Sequence, residues 1–174
     1  IGPVAYIIKA RTTLLRDLGA CMSPFNAFLT LQGLETLPLR MRAHCENADH
    51  VAAFLKDHKN VKRLVHPSQF TGEEKARADK YLKNGHGSLI GFEIEGGVEA
   101  GKKFINSLEL LYHVANIGDA RLLAIHPAST THSQLSEGEL ESVGISSGYI
   151  RLSIGIEHKD DIVADIKQAL EKAV

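Results

Sequence analysis

The chain has 174 residues, enough for one substantial domain that would bury about 70% of its unfolded surface or for one domain with an appended segment. Its composition, 44% hydrophobic and 24% charged, is that of an ordinary globular protein. With 20 Lys+Arg against 21 Asp+Glu there is no basic footprint for nucleic acid and no polybasic patch for a membrane surface. No apolar run approaches the roughly 18 to 20 residues that span a bilayer, and the N-terminus lacks the basic flank and apolar stretch of a signal peptide. A cytoplasmic protein is therefore expected. The chain begins Ile1-Gly2-Pro3 without methionine and enters a helical pattern at once, which points to a cleaved or incomplete chain.

Apolar Ile7, Ile8, Leu14, Leu15 and Leu18 interleave with Lys9, Arg11, Arg16 and Asp17, so a helix is expected over 4–18, ended by Gly19. Ser23-Pro24 supplies an N-cap and a first-turn proline for a second helix. Its apolar row, Phe25, Phe28, Leu31, Leu34 and Leu37, meets Pro38, which should kink it. The row then resumes as Met41, Cys45, Ala48, Ala52 and Leu55. Such a long bent helix would link two domains, with the boundary near residues 38–40: 1–40 on one side and 41–174 on the other. Cys21 and Cys45 fall on these helices without paired metal spacing and are taken as reduced thiols.

Beyond Asn60 the elements become short and alternate. Strands are expected over 61–65 and 88–94 and helices over 72–82 and 98–110. Three further strands, 112–116, 121–125 and 149–156, precede a closing helix over 159–172 with Asp160 and Asp161 at its positive end. The fold class is α/β, in the form of an α+β-like sandwich: a largely antiparallel sheet covered by helices.

Chemistry-bearing residues concentrate between Ala115 and Glu157. In Tyr149-Ile150-Arg151-Leu152-Ser153-Ile154, alternation puts Ile150, Leu152 and Ile154 on one face and Arg151 and Ser153 on the other. A guanidinium fixed on a strand presents a planar fork that matches a carboxylate. The same pattern also fits an arginine on the solvated face of an edge strand. His126 and His132, with Asp119 or Glu137, form a conceivable metal grouping, but His-x5-His in a loop lacks the one-face spacing of a helical zinc motif. Ser129, Thr130 and Ser153 become nucleophiles only if a base lies beside them. No Gly-x-Ser-x-Gly elbow and no phosphate-binding loop is present.

Several multi-residue runs carry a resemblance. They are Leu15-Arg16-Asp17-Leu18-Gly19-Ala20, Ser23-Pro24-Phe25-Asn26-Ala27-Phe28, Gln32-Gly33-Leu34-Glu35-Thr36-Leu37 and Ala115-Asn116-Ile117-Gly118-Asp119-Ala120. With them go His126-Pro127-Ala128-Ser129-Thr130-Thr131-His132-Ser133-Gln134-Leu135 and Ile150-Arg151-Leu152-Ser153-Ile154-Gly155-Ile156-Glu157. Together they resemble the O-acetylhomoserine sulfhydrylases of the cysteine/methionine-metabolism family of pyridoxal-phosphate enzymes, along essentially the whole chain.

The resemblance implies the C-terminal part of a fold-type-I enzyme: 1–40 the end of a large cofactor domain and the start of a linking helix, 41–174 a substrate-orienting domain. It implies that the Schiff-base lysine and the other cofactor-binding residues lie upstream, so no catalytic residue, cofactor-binding residue or metal ligand is expected in this chain. Pyridoxal phosphate would belong to the full-length homotetramer and not to this part alone. Arg151 matches the family arginine that binds the substrate α-carboxylate, Asn116 a position contacting the same carboxylate, and Thr131 a position lining that region. The implied activity replaces the acetate of O-acetylhomoserine with sulfide or a thiol, giving homocysteine or methionine, and this part alone would be inactive. Two other readings remain open on the residues: a free-standing amino-acid-binding or regulatory module using Arg151, and a metal-dependent hydrolase using His126, His132 and Asp119.

Overall fold

The computed structural model describes residues 1–174, which divide into two compact units, Ile1–Pro38 and Leu39–Val174. The first is helical. A 3-10 turn over Gly2–Val4 leads into α1 (Ala5–Lys9), a π-helical stretch over Ala10–Leu15 and a last turn, α2 (Arg16–Leu18). Gly19 closes this run in the left-handed region at φ +70°, its N–H donating to the Leu15 carbonyl. The Ser23 hydroxyl then caps α3 (Pro24–Glu35) by accepting from the Asn26 N–H at 3.1 Å. No residue of Ile1–Pro38 is buried, and Ile7, Leu14, Phe25, Phe28 and Leu31 are all exposed.

The bend expected at Pro38 takes the form of an interruption: α3 stops at Glu35, and α4 (Leu37–Lys56) starts after the single residue Thr36. Proline in a helix interior removes one hydrogen bond and collides with the carbonyl four residues back. Pro38 avoids both costs by standing in the first turn of α4.

The second unit is built on a five-stranded sheet: β1 (Val61–Val65), β2 (Leu89–Ile94), β3 (Tyr112–His113), β4 (Leu123–Ile125) and β5 (Tyr149–Ser153). Their spatial order is β1-β2-β5-β4-β3, antiparallel throughout except for the parallel β3–β4 pair. Registers such as Ile90↔Leu152↔Ala124 and Phe92↔Ile150 gather one apolar face. Against it pack Val51 and Leu55 of α4, Phe104 of α6 (Gly97–Ser107), and Ile162, Ile166 and Leu170 of α8 (Lys159–Ala173). Phe92 meets Phe104 edge-on, with ring centroids 5.6 Å apart. The opposite face carries Tyr149, Arg151 and Ser153.

Two further helices lie outside this core layer, α5 (Gly72–Tyr81) and α7 (Glu137–Ser142). α7 is absent from the expected elements, although its capping box is visible in Ser136-Glu137-Gly138-Glu139: the Glu139 carboxylate accepts from the Ser136 N–H and hydroxyl, at 2.8 and 2.7 Å. Those two bonds hold the Glu139 carboxyl below its usual range. The strands flanking the site are shorter than expected. β3 ends at His113, because the backbone beyond it turns through Asn116 and Gly118, the latter at φ +77°. β5 ends at Ser153, after which Ile154 and Ile156 donate to the carbonyls of Ser88 and Ala120.

Candidate functional site

β5 is a central strand, so the edge-strand reading of Arg151 does not hold. Its neighbours in register are Gly91 on β2 and Ile125 on β4. Arg151 is half-buried, and its Nη2 donates to the Asn116 carbonyl at 3.3 Å. Its Nε–H is shielded from solvent without any acceptor, and no carboxylate of the chain pairs with the guanidinium. A shielded donor left unpaired costs about 1–3 kcal/mol, a standing penalty that no group of this chain relieves.

The absence of a side chain at Gly91 matters here. The hydroxyl of Tyr149 occupies the space that a Cβ at Gly91 would need. Burial pushes the Tyr149 phenol above its ordinary value, and the nearby charges of Arg63 and Arg151 offset part of that rise. Tyr149 and Gly91 thus form the floor beside Arg151, a pairing across strands that no local pattern in the sequence announces.

Asn116 meets Arg151 through its backbone. Its side-chain oxygen accepts from the Ile117 N–H at 2.9 Å, an Asx-type turn that leaves the amide NH2 without a protein partner. Gly118 N–H donates to the Ser153 hydroxyl at 3.2 Å. Arg151 and Asn116 are therefore brought together, while Thr131 is engaged elsewhere: its hydroxyl bonds Nδ1 of His132 at 2.8 Å and makes no hydrogen bond to either of them.

Residues of α4 also hold the strand that carries Arg151. His44 Nδ1 lies 2.6 Å from the Ile154 carbonyl, and the Asn47 amide donates to the carbonyls of Gly155 and Glu157 at 3.1 and 2.8 Å. The Glu157 carboxylate in turn accepts from the Leu122 N–H at 2.8 Å. Buried His44 and Asn47 interrupt the apolar stripe of α4, and that interruption is the one sequence signal that could have marked them.

The loop after β4 is organised by His126, which is fully buried. Its Nε2–H donates to the Ser147 carbonyl at 2.8 Å, which leaves Nδ1 to accept from the Ser129 hydroxyl at 2.8 Å. Ser129 thus has a base beside it, but the imidazole is enclosed and no acid orients it, so the pair serves as a loop anchor. The metal grouping of His126, His132 and Asp119 or Glu137 is not assembled. Both ring nitrogens of His126 are occupied by serines, His132 Nδ1 is bonded by Thr131, and no three His, Cys, Asp or Glu side chains are placed to hold an ion.

Burial also lowers the His126 pKa, offset in part by the Ser147 carbonyl and reinforced by Lys102 and His113. His66 is lowered the same way by burial, with Asp49 and the Gly87 backbone offsetting and His86 adding to the effect. Below pH of about 6.5 the unfolded chain binds protons that the folded chain refuses. This stability contribution is complete above that pH and is lost as pH falls, by up to about 1.4 kcal/mol per pH unit for each histidine. Thermal unfolding between pH 7.5 and 5.5 should show the decline, reduced in His126→Gln; a midpoint that rises on acidification would contradict it.

Comparison with known proteins fits this geometry. Residues 4–171 match the family model described as Cys/Met metabolism PLP-dependent enzyme. An O-acetyl-L-homoserine sulfhydrylase from Leptospira meyeri is 53% identical over 169 residues, covering 97% of this chain and 38% of that protein. A homocysteine synthase from Schizosaccharomyces pombe is 46% identical over 172 residues, covering 99% and 40%. Among solved structures, an O-acetylhomoserine (thiol)-lyase from Campylobacter jejuni containing N'-pyridoxyl-lysine-5'-monophosphate superposes with a TM-score of 0.88 at 44% identity, over 98% of this chain and 41% of that one. The chain thus spans about two fifths of the length of these relatives. No helix is long and apolar enough to cross a membrane. From Val4 to Glu171 in sequence, and across nearly its whole length in structure, the chain belongs to the Cys/Met metabolism family of pyridoxal-phosphate-dependent enzymes.

Proposed function

We propose that this chain is the C-terminal, substrate-orienting part of an O-acetylhomoserine sulfhydrylase. The full-length enzyme, a cytoplasmic homotetramer, replaces the acetate of O-acetylhomoserine with sulfide or a thiol, giving homocysteine or methionine. The observation that carries the reading is Arg151: a half-buried guanidinium on a central strand, given one backbone carbonyl and no acid. A substrate α-carboxylate would supply the missing anion, with the uncommitted Asn116 amide as a further donor. Thr131 joins the proposed site on the strength of the resemblance alone. In this reading 1–40 complete the cofactor domain and begin the linking helix, in keeping with their exposed apolar residues, and 41–174 form the orienting domain.

Pyridoxal phosphate is the family's cofactor, and when bound it supplies the electron sink for such replacements. The residues present do not fit a covalent anchor for it. A lysine that serves that role is desolvated in a pocket, and every lysine in this chain is exposed. The contribution assigned to this part is accordingly binding and orientation: Arg151 fixes the carboxylate, and with it the direction in which the rest of the amino acid points.

The test is an assay of the full-length protein with pyridoxal phosphate, O-acetylhomoserine and sulfide. Homocysteine and acetate should appear in equal amounts. An amino acid that binds through Arg151 without any turnover would instead support a binding or regulatory module and overturn the sulfhydrylase reading.

A further inference from the structure

The segment between β3 and β4 has few ties. None of residues 112–120 is buried. For residues 115–118, two hydrogen bonds reach the rest of the chain: Gly118 N–H to the Ser153 hydroxyl, and Arg151 Nη2 to the Asn116 carbonyl. Both partners are side chains of β5, two residues apart on one face. Ser153 is itself 2% exposed, so its hydroxyl is held in place by the sheet, while the loop it holds stands in solvent.

The guanidinium offers two edges to a carboxylate: the side edge, Nε–H with Nη2–H, and the end edge, Nη1–H with Nη2–H. In this chain Nε, on the side edge, is shielded from solvent, Nη2 donates to the Asn116 carbonyl, and Nη1, on the end edge, makes no hydrogen bond. We infer that the carboxylate is received on the end edge and that Ser153 is the positioning residue that maintains this. Its hydroxyl pins Gly118, which keeps the Asn116 carbonyl on Nη2 and presents the Asn116 amide to the ligand. The inference rests on the reading of Arg151 as the carboxylate-binding residue. Ser153 touches no substrate atom. It acts through the loop, and with the hydroxyl gone one side-chain bond remains to hold four exposed residues.

The measurement is steady-state kinetics of the full-length holoenzyme carrying Ser153→Ala. KM for the amino-acid substrate should rise about tenfold, the scale for one hydrogen bond to a charged group, with kcat within about twofold of the parent. A second variant perturbs the loop from its other end. Gly118→Ala has no atom within 4 Å of the added Cβ, but alanine disfavours the φ of +77°. It should raise KM in the same direction. KM within twofold of the parent in both variants, or a fall in kcat at constant KM, overturns the inference. Arg151→Ala separates it from the reading beneath it: if Arg151→Ala raises KM and the two loop variants do not, the loop clamp fails and the carboxylate site stands. If Arg151→Ala leaves KM unchanged, the site itself fails.

Discussion

Arg151→Ala in the full-length enzyme should lower kcat/KM by roughly 30-fold to several thousandfold, the 2–5 kcal/mol lost when one partner of a hydrogen-bonded charge pair is removed. Within the protein Arg151 makes one hydrogen bond, to the Asn116 carbonyl at 3.3 Å. Stability should therefore change little, since one such bond contributes about 1 kcal/mol net. The loss should appear mainly in KM, because a carboxylate remote from the breaking bond is gripped alike in the ground and transition states. A part of it in kcat would measure how far the grip also aligns the substrate. Arg151→Lys keeps the charge and loses the planar fork, so it should fall between the two. Binding or turnover unchanged in both variants would remove Arg151 from the site.

The standing of Arg151 also shows where sequence reasoning reaches its limit. Alternation in Tyr149-Ile150-Arg151-Leu152-Ser153 assigned the faces of β5 correctly, because one face must be apolar to meet Phe104 and Ile166. It could not distinguish an edge strand from a central one, since strand order is set by pairing between residues some sixty apart in sequence, such as Gly91↔Arg151. The same blindness hid the Tyr149–Gly91 fit and the Ser153–Gly118 bond. Asn116 lies beside Arg151, and the bond between them uses the Asn116 backbone, which residue identity does not reveal. The helices were the easier part. Ser23, Gly19 and Pro38 act through local backbone chemistry, and each lies at a helix end or first turn.

Asp165→Ala should cost about 3–5 kcal/mol, the range for stripping a buried charged group from its partners. Asp165 sits on α8, 6% exposed, with its carboxylate turned toward the segment that follows α6. One oxygen accepts from the Glu109 N–H at 2.9 Å and from the Gln168 amide at 2.9 Å; the other accepts from the N–H groups of Leu110 and Leu111 at 2.8 and 3.1 Å. Three successive backbone donors converge on one carboxylate, in the manner of an anion-binding nest. They belong to the turn between α6 and β3, so Asp165 ties this connection to α8, beside Gln168, whose amide donates to the Ser107 carbonyl at 2.6 Å. Alanine would leave those donors without the acceptor, and the loss is a large share of the roughly 5–15 kcal/mol that holds a domain together. At about 2–4 °C per kcal/mol for a chain of this size, thermal unfolding of the 174-residue chain should shift down by roughly 10 °C. Asp165→Asn keeps one acceptor oxygen but turns an NH2 toward backbone donors, so it should lose most of the same stability. A midpoint within about 2 °C of the parent in the alanine variant would mean that water replaces the carboxylate at the turn.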